Sequence, residues 1–248
     1  MGTAASLYDP ARRRAHFEGE HDEQSAEPMR DAARVVLVWD VPVRLVHWLI
    51  AILVAAAYAT WRLSWMVWHG RIGCALLALL LFRLLWGFFG GETARFSRFL
   101  TSPRAVVQHL KYALLREPDR QVGHNPAGGW MVLFLLALLL AETLSGLYVA
   151  NDIADVGPFT AIVPAGVANA IEETHAIVWE ALFAAIILHV LAIFGYAAVK
   201  GQNLLLPMIV GTKVLPENVP APRIASTARA AVLLAGGAAV AAILANFM

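Results

Sequence analysis

Five stretches of this chain are apolar for about 20 residues each, the length a helix needs to cross the hydrocarbon core of a bilayer. They run from Val43 to Trp61, Val67 to Phe89, Trp130 to Ala150, Thr174 to Val199 and Ala228 to Met248. The last is rich in Ala and Gly where the others are rich in Leu. Composition agrees: 59% of the 248 residues are hydrophobic and 15% charged, with a mean hydropathy of +0.63. A soluble domain is about half apolar and about a quarter charged. The expected fold class is therefore all-α: an integral membrane helix bundle of four core spans with a fifth, C-terminal transmembrane helix.

Helix ends are written into the sequence. Asp40 can cap the first span with Pro42 in its opening turn, and Asn125 with Pro126 can do the same for the third. Gly90-Gly91 closes the second. Between them, 91–124 is basic and at best amphipathic, which predicts an interfacial stretch against lipid headgroups. The connection 151–174 contains Gly157-Pro158 and Pro164-Ala165-Gly166, so only a short helix is expected there. Three segments follow: a polar tail 1–35, a membrane domain 36–213, and 214–248 as linker and fifth helix.

Charge distribution orients the chain. Lys and Arg concentrate in the N-terminal tail, in 95–120 and in 200–229, whereas 151–174 holds Asp152, Asp155, Glu172 and Glu173 and no Lys or Arg. By the positive-inside rule the N-terminus is cytoplasmic and the 151–174 loop lies outside. Residues 1–34 show no signal-peptide h-region and read as a cytoplasmic tail. The single cysteine, Cys74, excludes a Cys-rich iron–sulfur site and C-x-x-C-H haem attachment, and reads as a buried packing residue.

Four of the eight histidines, His47, His69, His175 and His189, lie in apolar spans, where ionisable groups are costly and usually functional. His175 and His189 are 14 residues apart, so they share a face to within about 40° and differ in depth by about 21 Å. With the first span running outward and the second and fourth inward, His47 matches His189 in depth and His69 matches His175. Each pair bridges two helices, as the two axial ligands of a b-type haem iron would. Two such ligands leave iron no open position, which favours electron transfer over catalysis.

Around these pairs, Gly73 and Gly87 share the His69 face and would let a flat macrocycle approach the backbone. Arg83, at the depth of the His47/His189 pair, can meet a haem propionate or snorkel to headgroups, and Arg44 has the same two options. Tyr58 and Trp61 share the His47 face at outer depth and can line the outer haem, or simply belong to an interfacial aromatic belt. Arg71 points away from His69. Glu142 shares a face with Ser145 and Gly146; Glu180 faces away from the histidines and is expected in a helix interface. Either acid could serve quinone protonation, or be a hydrogen-bonded structural carboxyl.

Val38–Trp48 (VWDVPVRLVHW), His69–Gly73 (HGRIG), Phe82–Phe88 (FRLLWGF), Gly123–Gly128 (GHNPAG) and the fourth-span histidines together resemble the bacterial cytochrome b561 family over about residues 36–213. Its superfamily includes the b-type cytochrome subunits of nickel–iron hydrogenases and thiosulfate reductases. The resemblance implies four helices holding two b haems through His47, His69, His175 and His189. It also implies electron exchange between membrane quinone (ubiquinone or menaquinone) and a redox partner such as a c-type cytochrome or a dehydrogenase subunit. Gly123–Pro126 can border a quinone site or be a plain capping turn. The fifth span and the long tail depart from the family core, and the former is expected to dock a partner. A superoxide:quinone oxidoreductase, with Arg62 and Arg71 attracting the anion, stays open as an alternative, as does a non-redox transporter or scaffold subunit. Membrane lipid is the expected surrounding, and nothing points to nucleic acid.

Overall fold

The computed structural model describes residues 33–112, 121–149 and 157–246. The tail before residue 33, with His16 and His21, and the acidic residues Asp152 and Asp155 lie outside the described residues. Ala33–Leu37 form a strand, β1, and the helices follow: α1 Val41–Arg62, α2 Met66–Phe89, α3 Phe96–Phe99, α4 Pro103–Lys111, α5 Pro126–Ser145, α6 Ala165–Lys200 and α7 Leu205–Val210. A second strand, β2 Thr212–Pro216, and a last helix, α8 Thr227–Ala245, complete the chain. Five of these helices, α1, α2, α5, α6 and α8, are long and apolar enough to cross a membrane.

The caps act as their sequences predict. Asp40 Oδ1 accepts from the Val43 amide at 2.8 Å, and Asn125 Oδ1 accepts from the Gly128 amide at 2.7 Å. Each satisfies a donor that the first turn of a helix leaves unpaired. Asp40 does more, because its Oδ2 accepts from Trp86 Nε1 at 3.1 Å. The start of α1 is thereby bolted to the last turn of α2, and both side chains are buried. Gly91 passes so close that a Cβ there would lie 2.9 Å from Asp40 Oδ2.

The central span is α2, which packs against α1, α5 and α8, while α6 packs against α5. Cys74 is buried in α2 beside Leu77 and Leu147, a packing residue as expected. Three features differ from expectation. First, α6 begins at Ala165 instead of near Thr174. Pro164 stands just ahead of the first turn, where its missing N–H costs nothing, so it starts the helix instead of breaking it. Second, the small-residue face of α8 lies on α2: Ala230, Gly237 and Ala241 are buried. A Cβ on Gly237 would come 2.7 Å from the Ala78 carbonyl. The small residues of this added span thus make an internal contact.

Third, the chain contains a two-stranded antiparallel ribbon, with Val35 opposite Val214. An isolated pair of strands is marginal in water. Here Val36 and Leu215 bury their side chains in a cluster with Val38, Trp39, Val43 and Trp86. The ribbon joins the residue run before α1 to that after α6. Both therefore lie on one side of the bundle, as four spans between them require. The start of the connection after α2 lies there too, since the Glu92 amide donates to the Arg223 carbonyl and Thr93 Oγ1 to the Val38 carbonyl. This is the ribbon side; the α1–α2 turn and the start of α6 form the far side.

Replacing Asp40 by Ala removes a cap and leaves a buried indole N–H unpaired, a combined loss of about 2 kcal/mol or more. We expect a lower unfolding temperature in detergent by circular dichroism. Asp40→Asn, which keeps an acceptor, should fall between Ala and wild type.

Candidate functional site

α1 and α6 do not pack backbone to backbone; side chains span the gap between them. On the ribbon side these are His47 of α1 and His189 of α6, whose ring centroids are 6.4 Å apart at an interplanar angle of 64°. Toward the far side, Tyr58 of α1 stacks on Trp179 of α6 at 5.4 Å and 16°. Trp61 lies against Tyr58 at 5.8 Å, and Phe183 against Trp179 at 5.9 Å. Trp179 is not among the residues that the sequence reading singles out. Its signal is present there, one turn beyond His175 on the same helical face.

The second pair is His69, in the first turn of α2, and His175, and the two rings are close enough to interact electrostatically. His69 Nδ1 lies 3.0 Å from the Ala57 carbonyl. His175 is held by α5: its Nδ1 is 2.9 Å from Ser145 Oγ and its Nε2 is 3.2 Å from Glu142 Oε1. Glu142 therefore serves a histidine. Glu180 is exposed on the far face of α6 and joins no helix interface among the described residues, contrary to expectation.

The neighbouring cations separate. Arg83 is buried, 7% exposed, with its guanidinium carbon 5.5 Å from the Phe96 ring centre. Its Nη1 has no hydrogen-bond partner among the described residues. Such a side chain does not reach headgroups, and it interacts electrostatically with His47. Arg44 instead donates through Nη1 to the Ile209 carbonyl, tying α1 to α7. Gly73 has open space where a side chain would be, but Gly87 does not: the Phe96 ring fills it, because the chain turns back after Gly90 and lays α3 against α2. Arg71 lies over the Trp68 ring at 5.4 Å on the far side.

Beside the ribbon-side pair sits His124, its ring 4.6 Å from Trp39 and 4.8 Å from Phe99. Burial, reinforced by the positive charge of Arg83 and by His189 and His47, lowers its pKa to about 3. Its Nδ1 is buried without a hydrogen-bond partner among the described residues. His124 lines a cavity of about 740 Å³ together with Thr93, Arg98, Phe99, Gly123 and Arg223. Next to it the Tyr196 hydroxyl accepts from Asn125 Nδ2 at 2.7 Å and meets His109 Nε2 at 2.6 Å, which ties α4 and the α5 cap to the end of α6. Asn125 thus caps α5 and braces α6 as well.

The folded chain holds His124 neutral where the unfolded chain, with a pKa of about 6.5, binds a proton. Folding stability from this group is therefore complete above about pH 6.5 and is lost as the pH falls from there toward about 3. His124→Gln should flatten the fall in melting temperature between about pH 6.5 and about pH 4. An unchanged slope would mean that His124 is not the group responsible.

Histidines in this bundle thus come as two inter-helix pairs at two depths. Among the described residues no three or more His, Cys, Asp or Glu side chains gather into a metal cluster. The family model described as prokaryotic cytochrome b561 matches residues 38–211, about seven tenths of the chain. No curated protein and no solved structure matches it significantly. The match covers α1 through α7, including both histidine pairs and the His124 turn, and ends before α8. The chain belongs to the prokaryotic cytochrome b561 family, and is a multi-pass membrane protein of electron transfer with b-type haem.

Proposed function

We propose that this chain is a di-haem electron conduit, with His47 and His189 holding one b haem on the ribbon side and His69 and His175 holding a second on the far side. The observation that carries the reading is the 6.4 Å between the His47 and His189 ring centroids. With metal–nitrogen bonds of about 2.0 Å and ring centres about 1.1 Å behind each nitrogen, two imidazoles that held one metal between them would stand about 6.2 Å apart. The rings have about that spacing, between two helices, α1 and α6, that are not closely packed on each other. His47 and His189 would hold b-type haem there, and it would supply one-electron chemistry.

The chain's own residues supply the rest. α6 carries one ligand of each pair on one face, about 21 Å apart along its axis, so a single rigid rod sets the depth of both sites. Arg83 brings a buried, incompletely bonded cation to the ribbon-side site, suited to a propionate. The Tyr58–Trp179 stack crosses the same gap toward the far side and shields it from lipid. The ribbon-side cavity lies against His124 and is roomy enough for a quinone ring, with Arg98 and Thr93 as polar partners on its wall. The ribbon side is the cytoplasmic one, because Arg95, Arg98, Arg104, Lys111, Lys213, Arg223 and Arg229 lie there. The redox partner, a c-type cytochrome or a dehydrogenase subunit, would then meet the far side in the periplasm.

Detergent-purified protein should give a pyridine haemochrome of about two b haems per chain and low-spin spectra in both oxidation states. His189→Ala and His175→Ala should each lose one haem and retain the other. Colourless wild-type protein, or loss of neither haem in both variants, would overturn the assignment.

A further inference from the structure

The two histidine pairs differ in what holds their rings. Ser145 is the last residue of α5, and its hydroxyl donates to the Glu142 carbonyl at 3.0 Å. With its proton given to that carbonyl, the Ser145 oxygen is the acceptor at 2.9 Å from His175 Nδ1. In that arrangement Nδ1 of His175 carries the hydrogen, and once Glu142 leaves Nε2 the neutral ring offers its lone pair there, the form in which an imidazole binds iron. On the other side of the pair, a carbonyl can only accept, so His69 Nδ1 donates to Ala57 at 3.0 Å and its Nε2 is likewise free for a metal. Gly146 completes the seat: a Cβ there would stand 3.3 Å from His175 Cε1. Among the described residues, neither His47 nor His189 makes a hydrogen bond through its ring.

We propose that Ser145 is a positioning residue that fixes the tautomer and ring angle of His175 and, with the Ala57 carbonyl, keeps the far-side haem at a lower reduction potential than the ribbon-side haem. This rests on the di-haem reading above. The physical link is the second shell of a metal ligand: an Nδ1–H that donates to an acceptor makes the opposite nitrogen a stronger electron donor, which favours the oxidised iron. Both far-side imidazoles have such an acceptor and, among the described residues, the ribbon-side imidazoles do not. Charge acts in the same direction, since the buried Arg83 sits by the ribbon-side pair and favours the reduced, less positive state there. Glu142, now 3.2 Å from His175 Nε2, has to leave that nitrogen for a metal to bind it; Ser145 does not.

The test is a redox titration of purified holoprotein followed by optical and low-temperature EPR spectra, with the far-side component identified as the one that survives in His189→Ala. Ser145→Ala should raise the potential of that lower component and change its low-spin EPR signal, leaving the other component where it was. Ser145→Thr, which keeps the hydroxyl, should restore both readouts. If Ser145→Ala fails to assemble, Gly146→Ala provides the second measurement, because its methyl must tilt the His175 ring and move the same EPR signal. Two low-spin haems in wild type, with potentials and EPR signals that neither variant moves, would overturn the role of Ser145 and leave the di-haem reading standing. A wild type without two low-spin haems fails that reading itself, and the proposal with it.

Discussion

One buried carboxylate sets the register of the bundle. Asp40 caps α1 with one oxygen and receives the Trp86 indole with the other, so the start of the first span and the end of the second are held at the same depth. A helix in lipid has little hydrophobic reason to prefer one depth over a neighbouring one by a residue or two, because its whole surface is apolar. A doubly used, buried polar anchor removes that freedom. His47 lies two turns beyond the anchor on α1 and Arg83 one turn before Trp86 on α2, and the two interact electrostatically.

The far side is tied down differently. There the bundle relies on α5, whose last turn supplies Glu142, Ser145 and Gly146 around His175, while α1 offers a backbone carbonyl to His69. The third span contributes none of the four histidines, yet it holds one of them through a side chain. Helices that provide no ligand can still decide how a ligand is oriented, and orientation and hydrogen bonding are the levers by which a protein tunes a metal centre.

The ribbon side is closed by parts remote in sequence. β1 and β2 pair across nearly the whole membrane domain, Arg44 grips the Ile209 carbonyl, and Tyr196 links His109 with Asn125. Together they build a floor beneath the His47/His189 pair. His124 and its cavity are set into that floor, where burial keeps the imidazole neutral. The small residues of α8 pack a fifth span against α2.

Much of this was legible in the chain itself. Apolar length predicts the five spans, because a bilayer admits helices of about 20 residues and little else. Asp40, Pro42, Asn125, Pro126 and Gly90 predict where spans start and stop, through the donors that helix ends leave unpaired. The spacing of 14 between His175 and His189 predicts two depths on one face, since helical periodicity is a local property. What remained closed to sequence reasoning depends on contacts between distant segments. The strand Ala33–Leu37 could not announce its partner Thr212–Pro216, the filling of Gly87 by Phe96 needed the chain to fold back, and Trp179 gained its meaning only opposite Tyr58. The seat of His175 on Ser145 likewise exists only once α5 and α6 lie side by side. Periodicity, caps and hydropathy are carried by neighbours along the chain, and so the sequence alone determined the spans, their order and the candidate ligands. Ring orientation, hydrogen-bond partners and the spacing of the rings are set by atoms far apart in the chain, and only the tertiary structure decided them.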